Sequence, residues 1–96
     1  MRKAYLLAFS DNVGTQVQVK ECIESMPSVI LWRYDMTNAF HIISEASADT
    51  LSSEFRARIN NKEGLFIITE YSDNSQGWLT EASWYLMRYK QIMPDK

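Results

Sequence analysis

The sequence predicts an α+β fold, and two observations carry that prediction. Residues 4–9 (AYLLAF) and 65–68 (LFII) are apolar at consecutive positions, which is typical of strands buried on both faces of a sheet. Around them, strand and helix patterns follow in the order strand, helix, strand, strand, helix, strand, helix. The chain has 96 residues, enough for one hydrophobic core, and we expect a single domain over residues 1–96.

The first predicted helix follows the strand at residues 4–9. Apolar residues recur at helical spacing from Thr15 to Met26. Either Gly14 or Thr15 can cap the start, because both residue types are favoured at that position. Pro27 cannot continue a helix, so we expect the helix to end there.

A hairpin and a second helix are predicted next. Residues 29–34 (VILWRY) and 39–43 (AFHII) are strand-like, and the turn-prone residues 35–38 (DMTN) lie between them. Ser47 can cap the second helix, whose narrow apolar stripe extends to Ile59. A helix with such a stripe lies on the surface and buries one side.

The last part of the chain predicts a strand and a terminal helix. The fourth strand runs through Tyr71 and gives way to a polar loop at residues 72–77. Thr80 can cap a helix rich in aromatic residues. We expect residues 77–96 to form a helical extension of the domain.

This order of elements is the ferredoxin-like βαββαβ arrangement followed by an extra C-terminal helix. In that arrangement, the first and third strands are central in a four-stranded antiparallel sheet, and two helices cover one face. The other face has no cover of its own. We expect one alternate set of apolar side chains to line it as an interface, namely Tyr5, Leu7, Phe9, Phe40 and Ile42, although the sequence leaves open whether these residues or their strand neighbours face that way.

Two different covers suit the second face. A second copy of the chain is our first expectation, because closed two-fold dimers are the commonest oligomers. The alternative is that residues 78–92 fold back over the sheet. Trp78, Trp84 and Tyr85 belong to that segment and act either as core residues or as interface anchors, since tryptophan and tyrosine are enriched at binding hot spots.

Composition and charge exclude several functional classes. The net charge of −2 does not favour tight, sequence-independent binding of nucleic acid, although a local basic patch would permit some binding. No stretch approaches the roughly 20 apolar residues that span a bilayer, so we expect no membrane partner. The start of the chain does not read as a signal peptide, and we expect a cytoplasmic protein. No cofactor motif is evident.

The residues resemble a known family. The matching positions are Leu31, Trp32, Arg33, Tyr34, Thr37, Phe40, Ser47, Ala48, Leu51, Arg56, Ile59, residues 65–68, Gly77, Trp78, Leu79, Ser83 and Trp84. With them the chain resembles the SinR-like small bacterial proteins. These are similar in turn to the CRISPR-associated ferredoxin-fold family that serves beside the spacer integrase, and to VapD-type ribonucleases.

This resemblance implies a ferredoxin-like homodimer. In members with nuclease activity, it also implies an aspartate at the end of the first strand, near the dimer axis, that holds magnesium. The matching stretch here is Phe9, Ser10 and Asp11, with Ser10 where the family pattern usually has the aspartate. Asp11 is therefore the candidate catalytic residue and metal ligand.

A second set of polar residues is a candidate binding site. In the expected topology Asp11 and Asn12 share a sheet edge with Asp35 and Asn38, although the two aspartates would lie about two strand spacings, roughly 10 Å, apart. His41 is the only histidine and lies within a strand. We expect it to face a partner or solvent.

Three functions remain open from the sequence. The first is a small dimeric binding or regulatory module without a catalytic set, with a homodimer or another protein as partner. The second is a magnesium-dependent endoribonuclease with Asp11 as metal ligand. A small-molecule-sensing domain with a pocket at a dimer interface is the third.

Overall fold

Four strands form one antiparallel sheet in this protein. The computed structural model describes residues 1–94, so the last two residues of the expected extension over 77–96 lie outside the described residues. The strands are β1 (Lys3–Phe9), β2 (Val29–Met36), β3 (Ala39–Ser44) and β4 (Phe66–Glu70). The helices are α1 (Gln16–Ser25), α2 (Ala48–Arg58) and α3 (Glu81–Tyr89), and a short 3₁₀ turn spans Asp11–Val13.

The strands are ordered β2-β3-β1-β4 across the sheet, and each neighbouring pair is antiparallel. β1 is central, so Leu7 pairs with Phe40 on one side and with Ile68 on the other. The α+β class and the four-stranded antiparallel sheet predicted from the sequence are confirmed.

Each helix begins at the capping residue that the sequence predicts. Thr15 accepts a hydrogen bond from the Gln18 amide and completes a capping box with the Gln18 side chain. Ser47 caps α2 and Thr80 caps α3 in the same way, each through its side-chain oxygen. Within residues 1–94, no helix is both long enough and apolar enough to cross a membrane.

The hairpin between β2 and β3 is tighter than expected. The predicted turn covered residues 35–38, but β2 continues to Met36, which pairs with Ala39. Only two residues, Thr37 and Asn38, are left for the turn. Asp35 is therefore a strand residue, and the pleat of the sheet decides which way its side chain points.

α1 and α2 cover one face of the sheet and bury the main core against it. Val19 and Ile23 of α1 and Leu51 and Phe55 of α2 pack on this face. The same core contains the five strand residues that we expected at an interface, Tyr5, Leu7, Phe9, Phe40 and Ile42. Each is at most 7% exposed, so their predicted place on the opposite face is corrected: they lie beneath the two helices.

α3 crosses the opposite face, over β1, β2 and β3. A smaller core there consists of Ala4, Ile43, Leu86 and Met87, with Leu31, Tyr71, Leu79 and Trp84 packed against it. The side chains of β1 point alternately to the two faces of the sheet, and their sizes explain which helices cover each face. The larger side chains fill the deep core under α1 and α2, whereas Ala4 on the other face leaves room for one helix to lie close.

The three aromatic residues predicted as interface anchors have different surroundings. Trp84 packs against the core that α3 covers, as the folded-back alternative requires. Tyr85 forms a ring contact with Tyr89, with centroids 4.5 Å apart. Trp78 precedes the helix and is 99% exposed.

Replacing Gly64 with alanine should destabilise the fold. A Cβ at Gly64 would lie 2.6 Å from Val13 Cγ2 and 3.0 Å from Val13 Cα, and this backbone atom cannot move independently. We expect Gly64→Ala to lower the free energy of unfolding by about 1–3 kcal/mol, as overpacking commonly does. Urea unfolding measures the change.

Gly77→Ala is the matched control, because a Cβ at Gly77 has no neighbour within 4 Å. It should change the free energy of unfolding by less than about 0.5 kcal/mol. Equal effects of the two variants would contradict the close packing of Gly64 on Val13.

Candidate functional site

Six polar residues meet between the sheet and the start of α3, and we call them the polar cluster. They are Arg33, Asp35, His41, Tyr71, Thr80 and Ser83. Arg33 lies directly opposite His41 in the pairing of β2 with β3. Because side chains alternate along a strand, Arg33 and Asp35 share the face on which α3 lies.

His41 is the most deeply buried charged or titratable member of the polar cluster, with 1% of its surface exposed. Its Nδ1 lies 2.8 Å from the Tyr71 hydroxyl, and its Nε2 lies 3.5 Å from Asp35 Oδ2. A Tyr71 hydroxyl that donates to Nδ1 leaves the ring proton on Nε2, directed towards Asp35. The distance from Nε2 to Asp35 is too long for a good hydrogen bond. Within residues 1–94, Nε2 is the only buried side-chain nitrogen or oxygen that lacks a hydrogen bond.

Asp35 and Arg33 link the sheet to the first turn of α3. Thr80 Oγ1 donates a hydrogen bond to Asp35 Oδ1 over 3.0 Å, and Arg33 Nε donates to Ser83 Oγ over 2.9 Å. Arg33 Nε also lies 3.8 Å from Asp35 Oδ1. The Asp35 side chain is 13% exposed, so its charge is largely withdrawn from water but has several partners.

The surroundings set the protonation state of the polar cluster. Burial lowers the pKa of His41 below its usual 6.5, and the attraction of Asp35 only partly opposes this. Burial would raise the pKa of Asp35, but hydrogen bonds from Ser83 and Thr80 and the charges of His41 and Arg33 outweigh it and leave that pKa below 3.8. Burial, with the charge of Asp35, raises the pKa of Tyr71 to about 12. At neutral pH, therefore, Asp35 is ionised, while His41 and Tyr71 are neutral.

This geometry does not suit acid–base chemistry on a substrate. A general base must come within hydrogen-bond distance of the proton that it removes. His41 and Ser83 are at most 1% exposed, and their neighbours surround them within the chain. The polar cluster instead fastens α3 to the sheet.

The polar residues that were predicted to share one edge of the sheet lie in two separate places in the structure. Asp11 Oδ1 accepts a hydrogen bond of 2.8 Å from Asn38 Nδ2, which also donates to the Phe9 carbonyl. Asn12 lies beside them, and its carbonyl accepts a hydrogen bond from Asn61. Asp35 belongs to the polar cluster with His41, so the structure brings together Asp11 with Asn38 and Asp35 with His41.

The Asp11 end of β1 is a poor match for a resident magnesium ion. Magnesium takes six oxygen ligands, often one or two carboxylates together with water and phosphate oxygens. Asp11 supplies one carboxylate, and Asn38 presents its amide nitrogen rather than its oxygen. Across residues 1–94, no three histidine, cysteine, aspartate or glutamate side chains are grouped as they would be to hold a metal.

Sequence reasoning missed four members of the polar cluster. Thr80 was recognised as a helix cap and Arg33 as a strand residue, but neither as a member of this cluster. The spacing of Arg33 and Asp35 was a usable signal, since residues two apart in a strand point to the same face. Tyr71 and Ser83 gave no such signal, because their roles depend on where α3 lies.

Next to α3, part of the same sheet face stays open. We call it the β1/β4 strip; it comprises Leu6, Ala8, Leu65 and Ile67. Ile67 pairs with Ala8, and Ile67 and Leu65 are 61% and 74% exposed. The strip reaches the edge of the sheet, because β4 is the outermost strand.

Tyr71→Phe should destabilise the protein by removing the hydroxyl that bonds His41. His41 Nδ1 would then be buried without a partner, which costs about 1–3 kcal/mol. Tyr34→Phe is the control, because Tyr34 is 39% exposed and its hydroxyl bonds no residue among 1–94. Chemical unfolding at neutral pH compares the two variants, and equal losses would contradict the importance of the Tyr71–His41 bond.

Comparison of the chain with models of protein families, with curated proteins and with solved structures finds no match. Its function must therefore be inferred from its own residues, namely the buried polar cluster, the exposed Asp11 and the open β1/β4 strip.

Proposed function

We propose that this chain is a cytoplasmic binding or regulatory module with a ferredoxin-like fold, without a catalytic set, that works as a homodimer. The observation that carries the proposal is the β1/β4 strip, an apolar surface at the edge of the sheet. Apolar surface of this kind marks interaction sites. The polar cluster supports a role without catalysis, because His41 and Ser83 are buried and the members of the cluster are bonded to one another.

The order of the strands supports the ferredoxin-like part of the proposal. β1 and β3 are central, β4 and β2 flank them, and α1 and α2 share one face. A hairpin joins β2 and β3. α3 is then an addition that covers part of the face that the βαββαβ arrangement leaves bare.

The two edges of the sheet differ in how well they resist pairing with another strand. β2 has irregular register at two points and carries Arg33 and Asp35, and both features discourage an added strand. β4 pairs with β1 in regular register and contains no proline, and Glu70 is its one charged residue. The β4 edge is therefore the one open to a partner.

The backbone of β4 presents a regular set of free groups. Ser10 donates its amide proton to the Leu65 carbonyl, and Tyr71 donates to Ala4. In antiparallel pairing, alternate residues turn their backbone groups to the same neighbour, so Leu65, Ile67, Thr69 and Tyr71 bond towards β1. The backbone groups of the residues between them point away from the sheet.

A second copy fits this edge. If two β4 strands pair about a two-fold axis at Ile67, each Ile67 faces its counterpart and each Leu65 faces Thr69 across the pair. Glu70 then faces Gly64, so no like charges are opposed. This self-complementarity favours a homodimer over a partner with a different sequence.

Ile67→Lys should convert the dimer to a monomer, because it places a charge at the centre of the proposed contact. Light scattering at micromolar concentration should give twice 11.2 kDa for the unmodified chain and 11.2 kDa for the variant. Val17→Lys is the matched control, since Val17 is 60% exposed on α1, on the other side of the sheet. A monomeric unmodified chain, or a variant that stays dimeric, would overturn the proposed contact.

A magnesium-dependent endoribonuclease is the second candidate, and one observation favours it. Asp11 is exposed at the end of β1, and Asn38 fixes the direction of its carboxylate. An oriented, accessible carboxylate can contact a nucleic acid together with a metal. One chain supplies too few ligands for the metal, so the further oxygens would have to come from the second copy or from RNA.

Asp11→Asn tests this activity. Labelled RNA is incubated with the unmodified chain and with the variant, with and without magnesium. Asp73→Asn is the matched control, because Asp73 lies in an identical Ser-Asp-Asn tripeptide after β4 and is exposed. We expect no cleavage by any of the proteins; magnesium-dependent cleavage that only Asp11→Asn abolishes would establish the nuclease and refute the binding module without catalysis.

A further inference from the structure

α3 is held on the sheet by few apolar contacts and by polar contacts at both ends. Leu86 and Met87 are its buried apolar side chains, and the half-buried Trp84 packs beside them. At its N-terminal end, two members of the polar cluster bond the sheet: Thr80 bonds Asp35, and Ser83 bonds Arg33. At its other end, Arg2 Nη1 donates a hydrogen bond of 2.9 Å to the carbonyl of Lys90.

We propose that α3 is a proton-controlled cover of the sheet, held in place while His41 is neutral and released when the buried imidazole gains a proton. His41 is suited to this role because it is buried beneath the start of α3 and its Nε2 has no hydrogen-bond partner. A proton on the ring would put a full positive charge in a site that is 1% exposed.

The charged groups around His41 come from two sides. β2 contributes Arg33 and Asp35, which oppose and favour a positive imidazole, respectively. After β4, Tyr71 contributes a neutral hydroxyl, and on β1 the residue opposite His41 is Leu6. α3 adds only the hydroxyls of the polar cluster.

The attraction of Asp35 for a protonated His41 does not outweigh the effects that oppose protonation of the ring. Its carboxylate already accepts a hydrogen bond from Thr80 and lies near Arg33, and its distance of 3.5 Å from Nε2 is long for an ion pair held by a hydrogen bond. Burial and the charge of Arg33 leave the pKa of His41 below 6.5 when α3 is in place.

The direction of the pH effect follows from linkage. When α3 is released, His41 is solvated and takes up protons more readily than beneath α3. The contribution of His41 to holding α3 is therefore complete above pH 6.5 and is lost as the pH falls from 6.5 through its lower pKa in the closed form. Asp35 titrates below 3.8 and stays ionised throughout this window.

Release of α3 would uncover a larger apolar surface. Ala4, Leu31 and Ile43 lie beneath α3 or beside it. They share the face of the β1/β4 strip, so the exposed apolar area would extend from the edge strand towards the centre of the sheet. Mild acid would thereby expose a second binding surface.

Hydrogen exchange of backbone amides tests the proposal. Exchange is followed between about pH 8 and about pH 5 and corrected for the intrinsic pH dependence of exchange. Protection of the α3 amides should fall by up to about tenfold for each pH unit between 6.5 and the pKa of His41 in the closed form. Amides of β1 and β3 should keep their protection.

His41→Gln should remove this pH dependence, since glutamine is polar but does not titrate. Glu81→Gln is the matched control: Glu81 is an exposed titratable residue on α3 itself, and its replacement should leave the dependence unchanged. If His41→Gln does not fold, Asp35→Asn decides, because loss of the negative charge lowers the pKa of His41 in the closed form. The loss of α3 protection should then still begin near pH 6.5, but continue to lower pH and become larger.

Three outcomes would overturn the proposal. They are constant protection of α3 across the pH range, a pH dependence that persists without His41 or is no larger in Asp35→Asn, and loss of protection in β1 together with α3. The same measurements on the Ile67→Lys chain separate the opening of α3 from any change in assembly.

Discussion

β1 is bonded to a strand on each side, covered on one face and partly covered on the other, and the rest of the structure is arranged around that burial. Apolar side chains point to both faces of this strand, so each face needs its own layer of protein. α1 and α2 form one layer over the larger side chains. α3 forms the other layer, over Ala4 of β1 and over β3, and it stops short of β4. The open β1/β4 strip is thus the part of the second face that one short helix cannot reach.

Local interactions made much of this fold predictable. The caps Thr15, Ser47 and Thr80 can be read directly because a helix start is set by a few adjacent residues. The face that each apolar side chain would occupy could not be read in the same way. Both alternate sets of β1 are apolar, so a hydrophobic pattern alone does not distinguish them. Side-chain size was the remaining signal: Tyr5, Leu7 and Phe9 alternate with Ala4, Leu6 and Ala8, a set of smaller total volume.

The candidate site was only partly predictable, for a related reason. Asp35 and His41 were both identified as binding residues, but Asp35 as part of an edge with Asp11 and His41 as a strand residue that faces a partner or solvent, not as partners of one another. β2 continues to Met36, so Asp35 is a strand residue, and two positions after Arg33 it lies on the same face as His41. Arg33, Tyr71 and Ser83 join them through contacts that no local pattern encodes. The side chains of the polar cluster consequently bond one another within the molecule. Its most exposed distinctive surface, the β1/β4 strip, is apolar.

The contacts that hold α3 also have a consequence for the order of folding. Asp35 and Thr80 are 45 residues apart, Arg33 and Ser83 are 50 apart, and Arg2 and Lys90 are 88 apart. Closing such long loops costs chain entropy that must be met before the contacts form, whereas the two-residue turn brings β2 and β3 together at once. We therefore expect the β2–β3 hairpin to form early, and the pairing of β1 with β4 and the docking of α3 to come later, because both join distant parts of the chain.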